Sequence, residues 1–193
     1  GSMTPPPIIE TMAGDISAYI PTNVISITDG QIFLDSELFH SGIRPAVNVG
    51  LSVSRVGRSA QHKAMQKVSG TLRIDLAQYR ELAVFSQFGS DIDDATKALL
   101  DRGERLTQTL KQDKPQPLSL SGQVAHLLAF KQNAMTSIPV KKISGYNESL
   151  LEHLSHSCST QMRTIDQTGE LSEDNEEALV RQIKQFVQRY EEQ

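Results

Sequence analysis

The sequence predicts a mostly helical protein in which a mixed α/β segment, residues 1–58, precedes an all-α helical bundle, residues 59–193. Two observations lead to this prediction. Before Ser59, short apolar runs are bounded by Gly, Asp and Pro, which is typical of strands joined by turns. After Ser59, apolar residues recur at intervals of three and four, which is the period of amphipathic helices. We therefore expect two domains.

The first domain is expected to contain two strands and a short helix. The strand candidates are Pro7–Thr11 and Gln31–Leu34, and the turn signal Thr28–Gly30 precedes the second strand. Imperfect alternation in both favours strands buried on two faces of a parallel sheet. Pro21–Ser26 predicts a short helix, because proline is tolerated in a first turn. We expect this domain to be poorly packed on its own, since apolar strand edges would be exposed.

Five helices are predicted in the second domain from their apolar stripes. Polar caps, glycine and proline mark where each helix begins or ends. In chain order they are a stripe from Met65 to Leu82, a helix between an Asp91–Asp94 cap and Lys114–Pro117, a helix from a Ser121 cap through Met135 to Ile138–Pro139, a region from Ile143 through Leu154 that stops at Gly169, and a helix from a Ser172 cap to Tyr190.

Charge, hydropathy and cysteine content exclude several classes of protein. The net charge of -4 gives no footprint for nucleic-acid binding, and no apolar run approaches the ~18 residues of a membrane span. One cysteine, Cys158, excludes an internal disulfide, and its polar neighbours predict an unreactive thiol on a polar surface. The His153 and His156 pair lacks a third ligand, and the acidic loop 87–94 lacks the glycine and glutamate of a calcium loop. No metal site is therefore predicted.

The stretch that says most about function is Arg44–Gly57, an apolar and small-residue segment with two arginines. Arg55 directly follows the run Ser52–Ser54. A guanidinium so placed is either paired with a carboxylate inside the protein or presented from a rigid surface to an anion. Phosphate suits it, because the planar fork donates two parallel hydrogen bonds and keeps its charge. The residues alone leave both interpretations open.

The stretch Arg44–Gly57 also resembles the signature of the ATP synthase alpha/beta family, in the form found in alpha subunits. The likeness is close from Gly1 to Gln112 and weak beyond it. The chain is similar to the C-terminal part of an F-type alpha subunit, which ends in a helical bundle. Four more segments resemble neighbouring alpha-subunit segments in the same order, namely Ala13–Leu34, Leu76–Leu82, Gln87–Asp93 and Arg102–Gln112.

The resemblance implies a role for residues around the signature arginine. Arg55 would be the arginine finger that reaches the ATP site of a neighbouring beta subunit, with Ser54 and Ser52 beside it. Ser26 and Gly30 would lie near the catalytic phosphates. Judged from the residues alone, the three serines fit turn and capping roles equally well.

The resemblance also implies a second nucleotide site, which is non-catalytic. Arg44 and Pro45, with Gln112, would line its adenine pocket. Physically, an arginine plane and a proline ring can sandwich a flat base, while a glutamine offers one donor and one acceptor to the edge of that base. Lys114 stands where the family commonly has another glutamine, and this departure counts against the adenine contact.

The function implied is that of a regulatory, non-catalytic alpha-subunit fragment that is not an enzyme on its own. No Gly-x-x-x-x-Gly-Lys-Ser/Thr loop occurs in the sequence. The segment is therefore expected to begin partway through a nucleotide-binding domain, and no cofactor is expected for the isolated chain. ATP or ADP with Mg would be bound in the intact complex.

The implied partners are beta subunits, other alpha subunits and the gamma subunit of the central stalk, which Asp91 and Asp93 would face. The implied location is peripheral, on the cytoplasmic face of a bacterial plasma membrane or on the matrix or stromal side of an organellar membrane. The alternative is a truncated alpha-like assembly module that binds synthase subunits without supporting turnover. A free-standing nucleotide hydrolase is disfavoured, because the phosphate loop is absent from the sequence.

Overall fold

The computed structural model describes Met3 and residues 5–86, 92–113 and 116–191. Helices make up 65% of the described structure, so the prediction of a mostly helical chain is confirmed. The mixed α/β part is slighter than predicted, since each of the two strands in its sheet is two residues long. Backbone contacts divide the chain into two compact units, Gly1–Gly57 and Arg58–Gln193.

The first unit contains short elements joined by turns. Its two strands pair antiparallel, with Gly30 opposite Ser54. The predicted short helix is confirmed, and Pro21 lies in its first turn, where a missing N–H costs no intrahelical bond. The elements are α1 (Tyr19–Ile27), β1 (Gly30–Gln31), α2 (Ser36–His40) and β2 (Val53–Ser54).

The prediction of a parallel sheet buried on both faces is wrong. The strands are antiparallel and two residues long, and Pro7–Thr11 forms no strand. The apolar runs Pro7–Thr11 and Gln31–Leu34 are exposed or half-buried, because no layer of this unit packs over them. Ile8 is 97% exposed and Ile32 is 77% exposed. Apolar character alone does not say which strand face is covered.

The second unit is a helical bundle in which α6 is the central helix. Nine of the twelve residues of α6 are buried, and the helix contacts α3, α5, α7, α8 and α9. A helix that is apolar on all sides belongs in the interior of a bundle. The helices of this unit are α3 (Lys63–Val68), α4 (Leu72–Ser86), α5 (Asp94–Leu110), α6 (Leu120–Lys131), α7 (Ile143–Ser157), α8 (Ser159–Thr168) and α9 (Glu173–Glu191).

Two of the predicted helices are each divided in two. The stripe from Met65 to Leu82 belongs to α3 and α4, which are separated by residues 69–71. Gly70 lies in this break, and glycine is a poor helix former. The second break is at Cys158, whose φ of -128° leaves the helical region between α7 and α8. The predicted stop at Gly169 is confirmed, since this residue caps α8 with a left-handed φ of 69°.

The ends of α6 also differ from the prediction. Ser119, and not Ser121, caps the helix, because its side chain accepts a hydrogen bond from the Gly122 N–H at 3.1 Å. The Ser121 hydroxyl instead donates to the Asp166 carboxylate at 2.8 Å. The helix ends at Lys131, earlier than the predicted Ile138–Pro139 break. Within the predicted Asp91–Asp94 cap of α5, the Asp93 side chain accepts a hydrogen bond from the Thr96 N–H. The predicted cap of α9 is confirmed, since the Ser172 side chain accepts from the Asn175 N–H.

The prediction that Cys158 lies on a polar surface is wrong. Its side chain is 2% exposed at the junction of α7 and α8. Its serine and histidine neighbours along the chain face outward while the sulfur faces the core. Burial raises the pKa of the Cys158 thiol, which disfavours the reactive thiolate.

Two helical glycines should respond to alanine substitution with opposite signs. A Cβ at Gly103 of α5 would lie 2.3 Å from the Tyr79 side chain of α4, whereas a Cβ at Gly145 of α7 would meet nothing within 4 Å. We expect Gly103→Ala to reduce the free energy of unfolding by about 1–3 kcal/mol, because the added methyl group would overpack the contact between α4 and α5. Gly145→Ala should raise it by about 0.5–1 kcal/mol through helix propensity. Urea denaturation measures both, and stabilisation by both variants would contradict the packing at Gly103.

Stability should fall in mild acid because of His126. Burial lowers the pKa of His126 from its ordinary value, and its Nε2 donates a hydrogen bond to the Asn147 carbonyl at 3.2 Å. Below about pH 6.5 the unfolded chain therefore binds a proton that the folded chain resists, and the free energy of unfolding decreases. Above that pH both states are neutral and the contribution vanishes.

The measurement is the change in urea midpoint between about pH 7.5 and about pH 5.5, across the titration range of histidine. His126→Gln should show a smaller change than the unmodified chain. His156→Gln, at an exposed position on α7, is the matched control and should keep the full change. An equal change in all three proteins would contradict the assignment to His126.

Candidate functional site

The candidate site is built around Arg55, which immediately follows β2. Its backbone N–H donates to the Asp29 carbonyl at 2.7 Å, so the residue continues the antiparallel pairing with the segment of β1. Its guanidinium Nη2 donates to the Ile25 carbonyl near the end of α1 at 3.2 Å. The side chain is exposed. The backbone of Arg55 is thus held by a hydrogen bond to the β1 segment, while most of its guanidinium group faces outward.

Arg55 has no ion-pair partner in the part of the chain that the structure describes. Ion pairs within the second unit involve Lys63, Lys67, Lys97, Arg102 and Arg105. The sequence left open whether Arg55 pairs with a carboxylate of its own chain. Within the described residues, this geometry favours presentation to an anion instead.

Gly30 lies beside the arginine in the strand pair. Its φ of 149° is in a region that residues with a side chain rarely adopt, and a Cβ there would lie 2.1 Å from the Val53 carbonyl oxygen. Gly30 is opposite Ser54, the residue before Arg55. The structure therefore brings Gly30, Ser54 and Arg55 together.

The three serines of the predicted site all make hydrogen bonds to the backbone. The Ser52 hydroxyl accepts from the Phe33 N–H at 3.0 Å and donates to the Asn48 carbonyl at 2.7 Å. The Ser54 hydroxyl accepts from the Gly57 N–H at 3.0 Å. The Ser26 hydroxyl donates to the Asn23 carbonyl within α1 at 2.7 Å. The hydroxyls of Ser52 and Ser54 thus hold the backbone on either side of β2, while the Ser26 hydroxyl bonds within α1.

Arg44 and Pro45 lie on an exposed turn of the first unit and are joined by a cis peptide bond. The Arg44 guanidinium stacks on the Phe39 ring, with its central carbon 4.5 Å from the ring centroid. Stacking on one face leaves the other face of the guanidinium plane for a second flat group. Sequence reasoning did not identify Phe39, because a single aromatic residue five positions before an arginine carries no signal of stacking.

The other predicted site residues belong to the second unit. Gln112 is exposed, and its Nε2 donates to the Gln116 carbonyl at 2.5 Å in the loop after α5. Asp93 caps α5, and its hydrogen bonds from Thr96 lower the pKa of its carboxyl. Asp91, predicted to face a central stalk, lies outside the described residues.

Two further features bear on what the described residues can do. The described residues hold no group of three or more His, Cys, Asp or Glu side chains arranged to bind a metal ion. Among the helices described, none combines the length and the apolar character needed to cross a membrane.

Comparison with known proteins gives matches over nearly the whole chain. Residues 61–186 match the family model "ATP synthase alpha/beta chain, C terminal domain". Residues 1–54 match the model "ATP synthase alpha/beta family, nucleotide-binding domain". The resemblance predicted from Arg44–Gly57 and its neighbouring segments is therefore confirmed.

Individual relatives agree with the family models. The chain is 54% identical over 98% of its length to the mitochondrial ATP synthase subunit alpha of Neurospora crassa. It is 52% identical over 98% of its length to the ATP synthase subunit alpha of Psychrobacter sp. (strain PRwf-1), and 52% identical over 99% to that of Streptomyces lividans. The chain spans about a third of the length of these curated relatives, namely 34%, 37% and 36%.

Proposed function

The chain belongs to the ATP synthase alpha/beta family, and we propose that it works as the C-terminal part of an alpha subunit that supplies Arg55 as an arginine finger to the ATP site of a neighbouring beta subunit. The observation that carries this proposal is the state of Arg55. Its guanidinium is exposed, touches one backbone carbonyl at 3.2 Å, and has no carboxylate partner among the described residues.

The chemistry proposed for Arg55 is stabilisation of charge on a transferring phosphoryl group. Negative charge spreads over the oxygens of that group in the transition state, and a guanidinium fork can donate two hydrogen bonds to it. A donor already held in place costs little reorganisation when the charge develops. The bonds of Arg55 to the carbonyls of Asp29 and Ile25 supply that rigidity.

We assign the non-catalytic nucleotide site to the stacked pair of Phe39 and Arg44, together with Pro45. The exposed face of the Arg44 plane fits the adenine of ATP or ADP, because a flat base stacks on a guanidinium. For Gln112, which belongs to the second unit, the family resemblance is the support for a role in binding the edge of an adenine. Magnesium would come with the nucleotide.

The proposed partners are beta subunits, further alpha subunits and the gamma subunit. Asp91 and Asp93 are proposed to face the central stalk. The complex would lie at the periphery of an energy-coupling membrane, as the bacterial and mitochondrial relatives indicate. Catalysis belongs to the assembled complex in this proposal.

A hybrid alpha subunit that contains this chain tests the proposal. The chain replaces the matching third of the Psychrobacter alpha subunit, which is 52% identical to it, and the hybrid subunit is assembled with the beta and gamma subunits of that organism. Size-exclusion chromatography reports assembly, and phosphate release reports ATP hydrolysis. We expect an assembled and active complex. An assembled complex without hydrolysis would support the alternative of an assembly module, and failure to assemble would contradict the proposal.

A further inference from the structure

We propose that Gly30 is a positioning residue for Arg55, because its lack of a side chain lets β1 and β2 approach closely enough to fix the root of the arginine. This inference rests on the proposed function, in which Arg55 is the finger. Beyond that function, Gly30 determines the position of the Arg55 backbone.

The backbones of β1 and β2 lie very close together at Gly30. A Cβ at position 30 would lie 2.1 Å from the Val53 carbonyl oxygen and 3.0 Å from the Ser54 Cα. Both neighbours are backbone atoms, so no flexible side chain can move aside. Any residue other than glycine must therefore push β2 away from β1 or twist out of the pairing.

The strand pairing connects Gly30 with Arg55. Gly30 lies opposite Ser54, and Arg55 comes next in the chain. The N–H of Arg55 is bonded to the carbonyl of Asp29, the residue before Gly30, at 2.7 Å. A shift of β2 at Gly30 therefore displaces the root of Arg55 and strains this bond. The bond between the guanidinium and the Ile25 carbonyl, at 3.2 Å, would be strained as well.

Gly42 distinguishes the effect of close approach from that of backbone conformation. Gly42 is also a glycine of the first unit with a left-handed φ, in this case 79°, yet a Cβ there would meet nothing within 4 Å. Alanine at Gly42 thus introduces backbone strain at a positive φ without a collision. Gly42→Ala is the matched control for Gly30→Ala.

The expected effect is on turnover more than on binding of substrate. A misplacement of about 1 Å at a reacting centre costs about a hundredfold in rate. We expect Gly30→Ala to lower kcat by a factor of that order while KM for ATP changes by less than about threefold, since Arg55 acts on charge that develops in the transition state. Gly42→Ala should keep kcat within about twofold, as surface changes away from special contacts do.

The test is a double-mutant cycle in the hybrid complex, with residual hydrolysis measured in single turnovers. If Gly30 acts through Arg55, Gly30→Ala should lower kcat in the unmodified complex and cause no further loss in an Arg55→Ala background. Normal kcat in Gly30→Ala, or a loss that multiplies with that of Arg55→Ala, would overturn the inference and leave the finger intact. Normal turnover in Arg55→Ala alone would overturn both.

A second variant covers a failure of Gly30→Ala to assemble. The Nε2 of Gln31 donates a hydrogen bond to the Leu51 carbonyl at 3.1 Å, which connects β1 to the segment before β2. Its removal introduces no steric collision. Gln31→Ala should loosen the same strand, lower kcat by a smaller factor, and again cause no further loss in the Arg55→Ala background. A multiplicative loss in this cycle would overturn the inference.

Discussion

Replacing Arg55 with alanine should lower ATP hydrolysis by the hybrid complex by about a thousand- to a hundred-thousand-fold, the range found for arginine fingers. This corresponds to about 4–7 kcal/mol of activation free energy. Assembly should survive, because the Arg55 side chain is exposed and makes one hydrogen bond within the described residues. Arg55→Lys should fail similarly, since an ammonium cannot reproduce the two parallel bonds of the fork.

The control for Arg55 is its neighbour Arg58. Arg58 is also exposed and also donates to a backbone carbonyl, that of Gln66, at 3.3 Å. Arg58→Ala should keep turnover within about twofold, the usual consequence of a surface change. If Arg55→Ala turned over as fast as Arg58→Ala, Arg55 would be a structural residue and the finger assignment would be wrong.

Replacing Arg105 with methionine should produce the largest loss of stability among the substitutions discussed. The Arg105 guanidinium donates to the backbone carbonyls of Met135 and Ile138 in the turn after α6, and it pairs with Asp101 at 2.7 Å. Met135 and Ile138 are each 2% exposed. Methionine would remove the Arg105 donor from both carbonyls, and the Met135 carbonyl would keep only its bond from the Ile138 N–H at 3.1 Å. Charged hydrogen bonds and buried unsatisfied groups each cost about 1–3 kcal/mol, so we expect a loss of about 3 kcal/mol.

Urea denaturation of the chain measures this loss. The control is Lys97→Met on the same helix, where the lysine pairs with Asp94 at 3.2 Å and both side chains are exposed. Exposed pairs contribute little to stability, so the urea midpoint of this variant should stay close to that of the unmodified chain. Equal midpoints for the Arg105 and Lys97 variants would mean that Arg105 does not secure the turn.

The helices were predictable from the sequence where a regular apolar stripe forms the buried face of the helix. The stripe from Ile143 to Leu154 repeats every three or four residues, and those residues are the buried face of α7. Helix ends were less predictable, because distant contacts decide them. Ser119 and Ser121 are equivalent candidates for a cap in sequence, and the choice between them depends on Asp166, which lies 45 residues away from Ser121.

The backbone contacts that support Arg55 were not predictable from the sequence. The small-residue run before Arg55 left open whether the arginine is paired or presented, and only the resemblance to the family signature implied a role for it. The carbonyls that hold it belong to Ile25 and Asp29, whose side chains say nothing about their backbone oxygens. The collision that excludes a side chain at Gly30 likewise depends on the pairing of residues 24 positions apart, which the sequence does not display.

The most direct test of the finger is the affinity of the hybrid complex for ADP with fluoroaluminate, which mimics the transferring phosphoryl group, compared with its affinity for ADP alone. A residue that acts only on transition-state charge should matter only for the first ligand. We predict that Arg55→Ala weakens binding of ADP–fluoroaluminate by about a thousandfold or more, while binding of ADP alone changes by less than about threefold. Equal changes for the two ligands, or no change for either, would contradict the account.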